Sequence, residues 1–374
     1  MKAGVCVLAA AALCGVAAAE LPQATKASTA LRPINTFAPA QLSPVDVTAK
    51  AIAPRAGAAV ATAPSSGMLH TLKIGVYFFL WYAFNVVYNL TNKQVLNALP
   101  LPWTISAAQL GIGLLYVFPV WLLKLGGRKA PVLTMENVKT LMPIATCHTT
   151  GHLCTVISLS AGSVSFTHIV KAAEPFFSTV MSAVFLKSFF KLPVYLTLIP
   201  IVVGVAMASL KELSFTWVSF LNAMASNTAF SMRAIFSKKQ MNAPMGENMS
   251  APNLYAVLTI MSFLGLAPLA GVIEGRKIGP AWDSALSAGL ESSELTKKIL
   301  MSGLSYYLYN EVAFLALNAV HPITHAVGNT IKRVVIIVAS VIFFKTKMSM
   351  QSIIGSSIAI FGVLLYSLAK QYFP

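Results

Sequence analysis

The sequence predicts an all-α membrane protein with about ten transmembrane helices, arranged as two inverted repeats of five helices. Three observations support this fold class: an apolar composition, a series of long apolar runs, and a short motif that occurs twice, five runs apart. Hydrophobic residues make up 56% of the 374 residues and charged residues only 10%, with a mean hydropathy of +0.72. Soluble domains carry about 25% charged residues, so this much apolar surface requires a bilayer.

Ten apolar runs follow residue 66, most with the roughly 20 residues that a helix needs to cross a membrane. They cover residues 71–91, 102–124, 138–159, 162–186, 192–210, 216–236, 253–273, 298–318, 322–344 and 350–370. Several runs contain polar or charged residues, which we expect inside the helix bundle because charge that faces lipid is costly. Basic residues are nearly equal in number on the two sides, so the positive-inside rule does not assign an orientation.

The first 66 residues differ from the rest of the chain. Residues 1–19 have a lysine, then an apolar stretch, then small residues, which is the order found in a secretory signal peptide. Residues 20–66 are rich in Ala, Pro, Ser and Thr, more basic than acidic and without periodicity, which predicts a disordered, transit-like leader. The alternative is a plain secretory leader with a linker. Together the two segments resemble the two-part leader of algae with complex plastids, and residues 67–374 form the predicted ten-helix domain.

The composition also excludes several classes of protein. The formal net charge is +16, but the basic residues are scattered between apolar runs, without an aromatic-basic patch or zinc pattern, so we predict no nucleic-acid partner. The charge suits loops at an anionic lipid surface, or a site for anions. The four cysteines lack metal or disulfide-framework spacing. No Gly-rich phosphate loop, nucleophile elbow or carboxylate pair is present, so we predict neither enzymatic activity nor a cofactor.

A short motif in the fourth run recurs in the ninth. Thr167-His168 is followed by Lys171, and Thr324-His325 is followed by Lys332 and Arg333. Two five-helix halves of inverted topology would place both motifs at corresponding depths, as in many secondary transporters with a site near the midplane. The match is short, and coincidence is the alternative.

Three cations lie well inside apolar runs: Lys171 in the fourth, and Lys332 and Arg333 in the ninth. Each costs about 2.5–3.5 kcal/mol at mid-membrane on insertion scales, and such residues are functional candidates by default. The simplest use of three cations is an anion site, and a phosphate monoester suits both the arginine fork and the compact lysine charge. The alternative is internal pairing, of Lys171 with Glu174 on the same helical face and of Lys332 with Glu311.

Histidines in the third run suggest a ligand contact rather than a metal site. His148 and His152 are four residues apart, and Thr155 follows three residues after His152. No carboxylate accompanies them, so we predict no metal. We expect a histidine or the threonine to hydrogen-bond a ligand, with a bond to a neighbouring helix as the alternative.

The eighth run carries three tyrosines, Tyr306, Tyr307 and Tyr309. One hydroxyl could reach a phosphate, and the others would fill gaps between helices or lie at the interface. Lys93 and Arg233, near the ends of their runs, are predicted to snorkel towards the membrane surface.

Several segments match one family of transporters in their exact residues. They are Gly151-His152 with Thr155, and residues 164–177 (VSFTHIVKAAEPFF), 204–215 (GVAMASLKELSF), 306–310 (YYLYN) and 324–335 (THAVGNTIKRVV). These resemble the plastid phosphate translocator family of the drug/metabolite transporter superfamily, over residues 70 to 371. The resemblance implies ten helices in two inverted halves, antiport and no enzymatic activity. It also implies that three cations hold the phosphate and three further residues contact the phosphate or the carbon moiety: Lys171, Lys332, Arg333, Tyr309, His152 and Thr155.

The resemblance also bears on the substrate. Phosphoenolpyruvate-type members tend to have Asn where this chain has His152, which favours the triose-, hexose- or pentose-phosphate branches. Residues 174–177 and 206–209 look like triose-phosphate members, whereas residues 335–346 (VIIVASVIFFKT) look like the phosphoenolpyruvate type. The expected partners are inorganic phosphate, phosphorylated C3 compounds such as triose phosphate or 3-phosphoglycerate, and the lipid bilayer. The alternatives are another translocator of the same family, a Golgi or endoplasmic-reticulum nucleotide-sugar carrier, a membrane enzyme acting on a phosphorylated lipid, and a sensor or scaffold.

Overall fold

The computed structural model describes residues 66–239, 246–320 and 322–373. The predicted signal peptide at 1–19 and leader at 20–66 lie outside these residues, apart from Ser66. Within the described ranges the secondary structure is helical, except for one β-bridge between Val132 and Glu247. The predicted all-α fold class is therefore confirmed.

The described residues form ten helical segments, and each overlaps one of the ten predicted runs. They are α1 (Ser66–Ala98), α2 (Pro102–Leu122), α3 (Met135–Ala161), α4a (Val164–Lys171) with α4b (Glu174–Leu186), α5a (Leu192–Leu196) with α5b (Leu198–Leu210), α6 (Trp217–Lys239), α7 (Ala251–Ser287), α8 (Ser292–Ala319), α9 (Pro322–Phe344) and α10 (Met350–Tyr372). A short 3-10 turn at Leu125–Gly127 lies between α2 and α3.

Seven of these segments are long and apolar enough to cross a membrane, as judged from length and composition. They are α2, α4, α5, α7, α10, the part of α1 from His70 and the part of α9 from Thr324. Among the described helices, α3, α6 and α8 have comparable lengths but more polar sequences, since they carry many of the His, Ser, Asn and Tyr residues of the bundle. The chain is thus a multi-spanning helical membrane protein, and the number of ten crossings stays a prediction.

The fourth segment is interrupted at residues that belong to the site described below. Ser163 caps α4a, because its Oγ accepts the Phe166 N–H at 3.1 Å. Pro175 has no N–H to donate to the Lys171 carbonyl four residues earlier, which favours a break here, and Pro175 lies in the first turn of α4b, where no such bond is needed. The break places Lys171 at the end of α4a and Glu174 at the start of α4b.

Helix packing has an internal two-fold relationship. The principal pairs are α3 with α6, α1 with α8, α5 with α10 and α2 with α7. When each helix is exchanged for the one five places away, the α3–α6 pair becomes the α8–α1 pair, and the other two pairs map onto themselves. The weaker pairs α4–α6 and α1–α9 are exchanged in the same way. Since five is an odd number of crossings, two such halves in a membrane run in opposite directions, as the predicted inverted repeat requires.

Helices α5b and α10 meet at their backbones. A Cβ added to Gly204 would collide with the Ala359 nitrogen, and one added to Gly355 would lie 2.5 Å from the Ala208 nitrogen. Small residues at helix interfaces allow this close approach in membranes. The contact joins the fifth helix of one half to the fifth helix of the other.

Candidate functional site

A cavity of about 320 Å³ lies between α1, α3, α4, α6, α8 and α9. All six residues predicted to form the site line this cavity: Lys171, Lys332, Arg333, Tyr309, His152 and Thr155. Because α4 belongs to the first half of the chain and α9 to the second, the two halves contribute their cations to the same space.

Lys171 reaches the cavity from the end of α4a and is only 8% exposed. Its Nζ donates to Ser226 Oγ at 2.7 Å and to Thr155 Oγ1 at 3.2 Å, and it lies 4.7 Å from the centre of the Phe230 ring. Within the described parts of the chain, no carboxylate oxygen lies within 4.0 Å of this ammonium, so the alternative pairing with Glu174 is not formed.

Arg333 is the cation that pairs with Glu174. Its Nη2 donates to Glu174 Oε2 at 2.7 Å, and both side chains line the cavity. Internal pairing therefore exists in this site, but between α9 and α4b rather than along α4. The carboxylate compensates one of the three predicted cations.

Lys332 lies over an aromatic ring instead of a carboxylate. Its Nζ is 4.8 Å from the centre of the Trp81 ring in α1. The alternative pairing with Glu311 is wrong, because Glu311 Oε1 accepts from Arg128 Nη1 at 2.6 Å outside the cavity. Arg128 lies in the loop between α2 and α3, far from Glu311 in sequence, so the spacing within the apolar runs could not predict this pair.

His152, Thr155 and Tyr309 supply neutral polar groups and ring surface. The His152 ring lies 4.1 Å from the Tyr306 ring, centre to centre, and its Nε2 is buried without a hydrogen-bond partner in the described structure. Thr155 Oγ1 donates to the Gly151 carbonyl at 2.8 Å. The Tyr309 ring packs against those of Tyr88 and Tyr306. The predicted residues of α3 and α8 thus line the same cavity.

Arg233 was expected to snorkel, and this prediction is wrong. Its guanidinium lines the cavity, where Nη1 donates to His148 Nδ1 at 3.0 Å and the group lies 5.0 Å from the centre of the Phe230 ring. The apolar run ends at residue 236, but α6 continues to Lys239, so Arg233 lies further inside the bundle than the run suggests. The polar sequence of α6 indicates a helix that faces the bundle interior, and a basic residue in such a helix is a candidate for the site.

Lys93 and His168 make side-chain contacts between helices that were not predicted from the sequence. Lys93, also expected to snorkel, donates from Nζ to the Leu159 carbonyl at 2.8 Å and so ties α1 to the end of α3. His168 lines the cavity, with its Nε2 2.8 Å from Asn89 Oδ1. The repeated Thr-His motif is the sequence feature that could have identified His168 as a cavity residue.

The electrostatic character of the cavity follows from this lining. Of the described residues around it, four are Lys or Arg and one is a carboxylate. A cleft with one predominant sign of charge and low-dielectric walls focuses its field on ligands of the opposite sign. The cavity is therefore suited to a small anion that carries more than one charge.

Most of the chain is similar to known proteins. The model of the Triose-phosphate Transporter family matches residues 72–367. The chain is 42% identical over 309 residues to glucose-6-phosphate/phosphate translocator 2, chloroplastic, of Arabidopsis thaliana, covering 82% of this chain and 78% of the relative. It is 41% identical over 308 residues to phosphoenolpyruvate/phosphate translocator 1, chloroplastic, of Oryza sativa subsp. japonica, with coverages of 82% and 74%. It is 38% identical over 346 residues to triose phosphate/phosphate translocator, chloroplastic, of Spinacia oleracea, with coverages of 91% and 84%.

Proposed function

Because this chain belongs to the Triose-phosphate Transporter family, we propose that it exchanges inorganic phosphate for triose phosphate or 3-phosphoglycerate across a plastid envelope membrane. The observation that carries the proposal is the convergence of Lys171, Lys332 and Arg333 on one cavity. The family is one of transporters, in agreement with the prediction that the chain is not an enzyme.

The three cations suit a phosphate dianion for distinct reasons. Arg333 offers a planar fork that can donate to two phosphate oxygens, whereas each lysine acts as a compact point charge with three donors. Lys171 and Lys332 are free of carboxylate partners within 4.0 Å among the described residues, so their charge is available to a ligand. Thr155, whose hydroxyl accepts from the Lys171 ammonium at 3.2 Å, orients that ammonium at the cavity wall.

Exchange, rather than one-way transport, follows from the same charges. In an empty site that closes and sheds water, the clustered cations repel one another strongly because the local dielectric is low. A bound dianion offsets most of that repulsion, so the closed state forms readily only when it is loaded. Rocking of one half against the other would then carry phosphate one way and the organic phosphate the other way.

The C3 substrate class is supported by His152 and Arg233. The family resemblance implies that phosphoenolpyruvate-type members tend to have Asn where this chain has His152. Arg233 supplies a fourth cation in the cavity for a second anionic group such as the carboxylate of 3-phosphoglycerate. The relatives' names do not choose among substrates, since translocators named for glucose 6-phosphate, phosphoenolpyruvate and triose phosphate are similar to this chain at 38–42% identity.

A plastid envelope is the proposed location. The relatives are named as chloroplastic, and residues 1–66 have the order of a signal peptide followed by a transit-like segment. We expect residues 1–66 fused to a fluorescent protein to reach a complex plastid, and residues 1–19 alone to stop in the secretory system. If the longer fusion stays in Golgi membranes, the plastid location is wrong.

Counter-exchange in proteoliposomes tests the transport proposal. Vesicles containing the purified protein are loaded with phosphate, triose phosphate, 3-phosphoglycerate, glucose 6-phosphate, phosphoenolpyruvate or a nucleotide sugar, and uptake of radiolabelled phosphate is measured. We expect uptake with interior phosphate, triose phosphate and 3-phosphoglycerate, and little with phosphoenolpyruvate or without an interior substrate. If interior glucose 6-phosphate drives uptake best, the proposed C3 substrate is wrong. If no interior compound drives uptake, the proposed antiport activity is wrong.

A further inference from the structure

Two lysine–aromatic contacts in the cavity join pairs of helices that the internal two-fold relationship exchanges. Lys171, in α4a, lies 4.7 Å from the centre of the Phe230 ring in α6, and Lys332, in α9, lies 4.8 Å from the centre of the Trp81 ring in α1. Exchange of each helix for the one five places away converts α4 into α9 and α6 into α1. A lysine–aromatic contact therefore occurs in both of the exchanged helix pairs, with phenylalanine in one pair and tryptophan in the other.

Both rings are held firmly in place. Trp81 is 2% exposed, stacks on the His325 ring 4.7 Å away at an interplanar angle of 16°, and packs against Phe78 and Tyr82. Phe230 lies against Gly151 in α3, where an added Cβ would come within 2.9 Å of the ring. Gly151 thus makes room for the ring, which explains why a glycine precedes His152.

A ring supports a lysine in a way that a carboxylate cannot. The negative face of an aromatic ring attracts an ammonium, more strongly where water is excluded, but it does not neutralise the charge. A carboxylate in the same position would compete with an incoming phosphate for the lysine. A ring therefore holds the ammonium at the cavity wall and leaves its charge for the ligand.

We propose that Phe230 and Trp81 are positioning residues that hold Lys171 and Lys332 charged and oriented for phosphate while the site is empty. This inference rests on the proposed phosphate exchange and deepens it. Since alternating access in inverted repeats exchanges the conformations of the two halves, one ring in each half gives both lysines the same kind of support in both access states. Phosphate is then recognised alike from either side of the membrane.

The test replaces Phe230 with phenylalanines carrying one, two and three ring fluorines, which withdraw charge from the ring face with little change in size. The concentration of phosphate for half-maximal exchange should rise stepwise, by roughly 3- to 30-fold in total, while the maximal rate changes less. Fluorinated tryptophans at Trp81 should act in the same direction through Lys332.

Phe166 provides the matched control, because it is fully buried in α4a and packs on Phe215 rather than on a cation. The same fluorine series at Phe166 should leave the half-maximal concentration unchanged. A flat series at Phe230 and Trp81 in a protein that exchanges phosphate would overturn this inference alone. A protein that does not exchange phosphate at all would overturn the proposed function, and this inference with it.

Discussion

Arg333 and Glu174 form an ion pair across the two halves of the protein, with Nη2 donating to Oε2 at 2.7 Å. The arginine comes from α9. The carboxylate comes from the first turn of α4b, directly after the break between Lys171 and Glu174. Glu174 therefore stabilises one cation of the empty site, and a bound phosphate must share Arg333 with it. The carboxylate acts as an internal competitor of the substrate.

We expect Glu174→Gln to bind phosphate more tightly. Glutamine can still accept the Arg333 hydrogen bond through its carbonyl oxygen, but it removes the negative charge that competes with the ligand. Removal of about 1 kcal/mol of competition lowers the half-maximal phosphate concentration by roughly fivefold, and slower release should lower the maximal rate. Concentration-dependent uptake into proteoliposomes measures both quantities. A loss of exchange as complete as that of a cation variant would show that Glu174 is needed for binding itself.

Removal of each predicted cation should weaken exchange sharply. Charge-assisted hydrogen bonds contribute about 1.5–3 kcal/mol each, so Lys171→Ala, Lys332→Ala and Arg333→Ala should each reduce phosphate exchange by about 10- to 100-fold. Arg333→Lys should also be impaired, because a point charge cannot reproduce a two-pronged contact. The measurement is phosphate counter-exchange, with membrane insertion and monodispersity checked for every variant.

Lys347→Ala is the control for these variants. Lys347 is exposed in the connection between α9 and α10 and does not line the cavity, so its loss should leave exchange near normal. Lys93 is less suitable, because its contact with the Leu159 carbonyl joins two helices. Normal exchange by a well-folded Lys332→Ala, Arg333→Ala double variant would remove the anion site from the proposal.

The sequence predicted the residues whose placement obeys a strong physical constraint. Lys171, Lys332 and Arg333 converge because a charge inside a membrane protein must face the bundle interior, and the two repeated motifs share one environment by the two-fold relationship. What could not be predicted depends on contacts between distant segments. Glu311 pairs with Arg128, which is 183 residues away, and Trp81 has no local feature that separates it from a lipid-facing aromatic residue.

His152→Asn should shift the protein towards phosphoenolpyruvate. We expect the unaltered protein to exchange phosphate, triose phosphate and 3-phosphoglycerate well and phosphoenolpyruvate poorly, because His152 favours a phosphate at the end of the carbon chain. In the asparagine variant, the difference in exchange between the C3 phosphates and phosphoenolpyruvate should be smaller. Competition of unlabelled compounds against radiolabelled phosphate uptake measures the ratio. If phosphoenolpyruvate competes best in the unaltered protein, the assignment to the triose-phosphate type is wrong.

Arg233 should discriminate between a substrate with one anionic group and a substrate with two. Its guanidinium lines the cavity and is oriented by His148 Nδ1 at 3.0 Å. If it receives the carboxylate of 3-phosphoglycerate, Arg233→Gln should weaken exchange of 3-phosphoglycerate by roughly 10-fold more than exchange of inorganic phosphate, since one charge-assisted hydrogen bond is lost for only one of them.

Paired measurements on the same proteoliposomes decide this prediction. Phosphate–phosphate exchange and phosphate–3-phosphoglycerate exchange are compared for the unaltered protein, Arg233→Gln and His148→Leu. The His148 variant should show the same preference in weaker form, because it removes the acceptor that orients the guanidinium while leaving the charge in place. An equal loss for both substrates in Arg233→Gln would assign Arg233 to the phosphate, and the carboxylate would then have to be bound by another residue of the cavity.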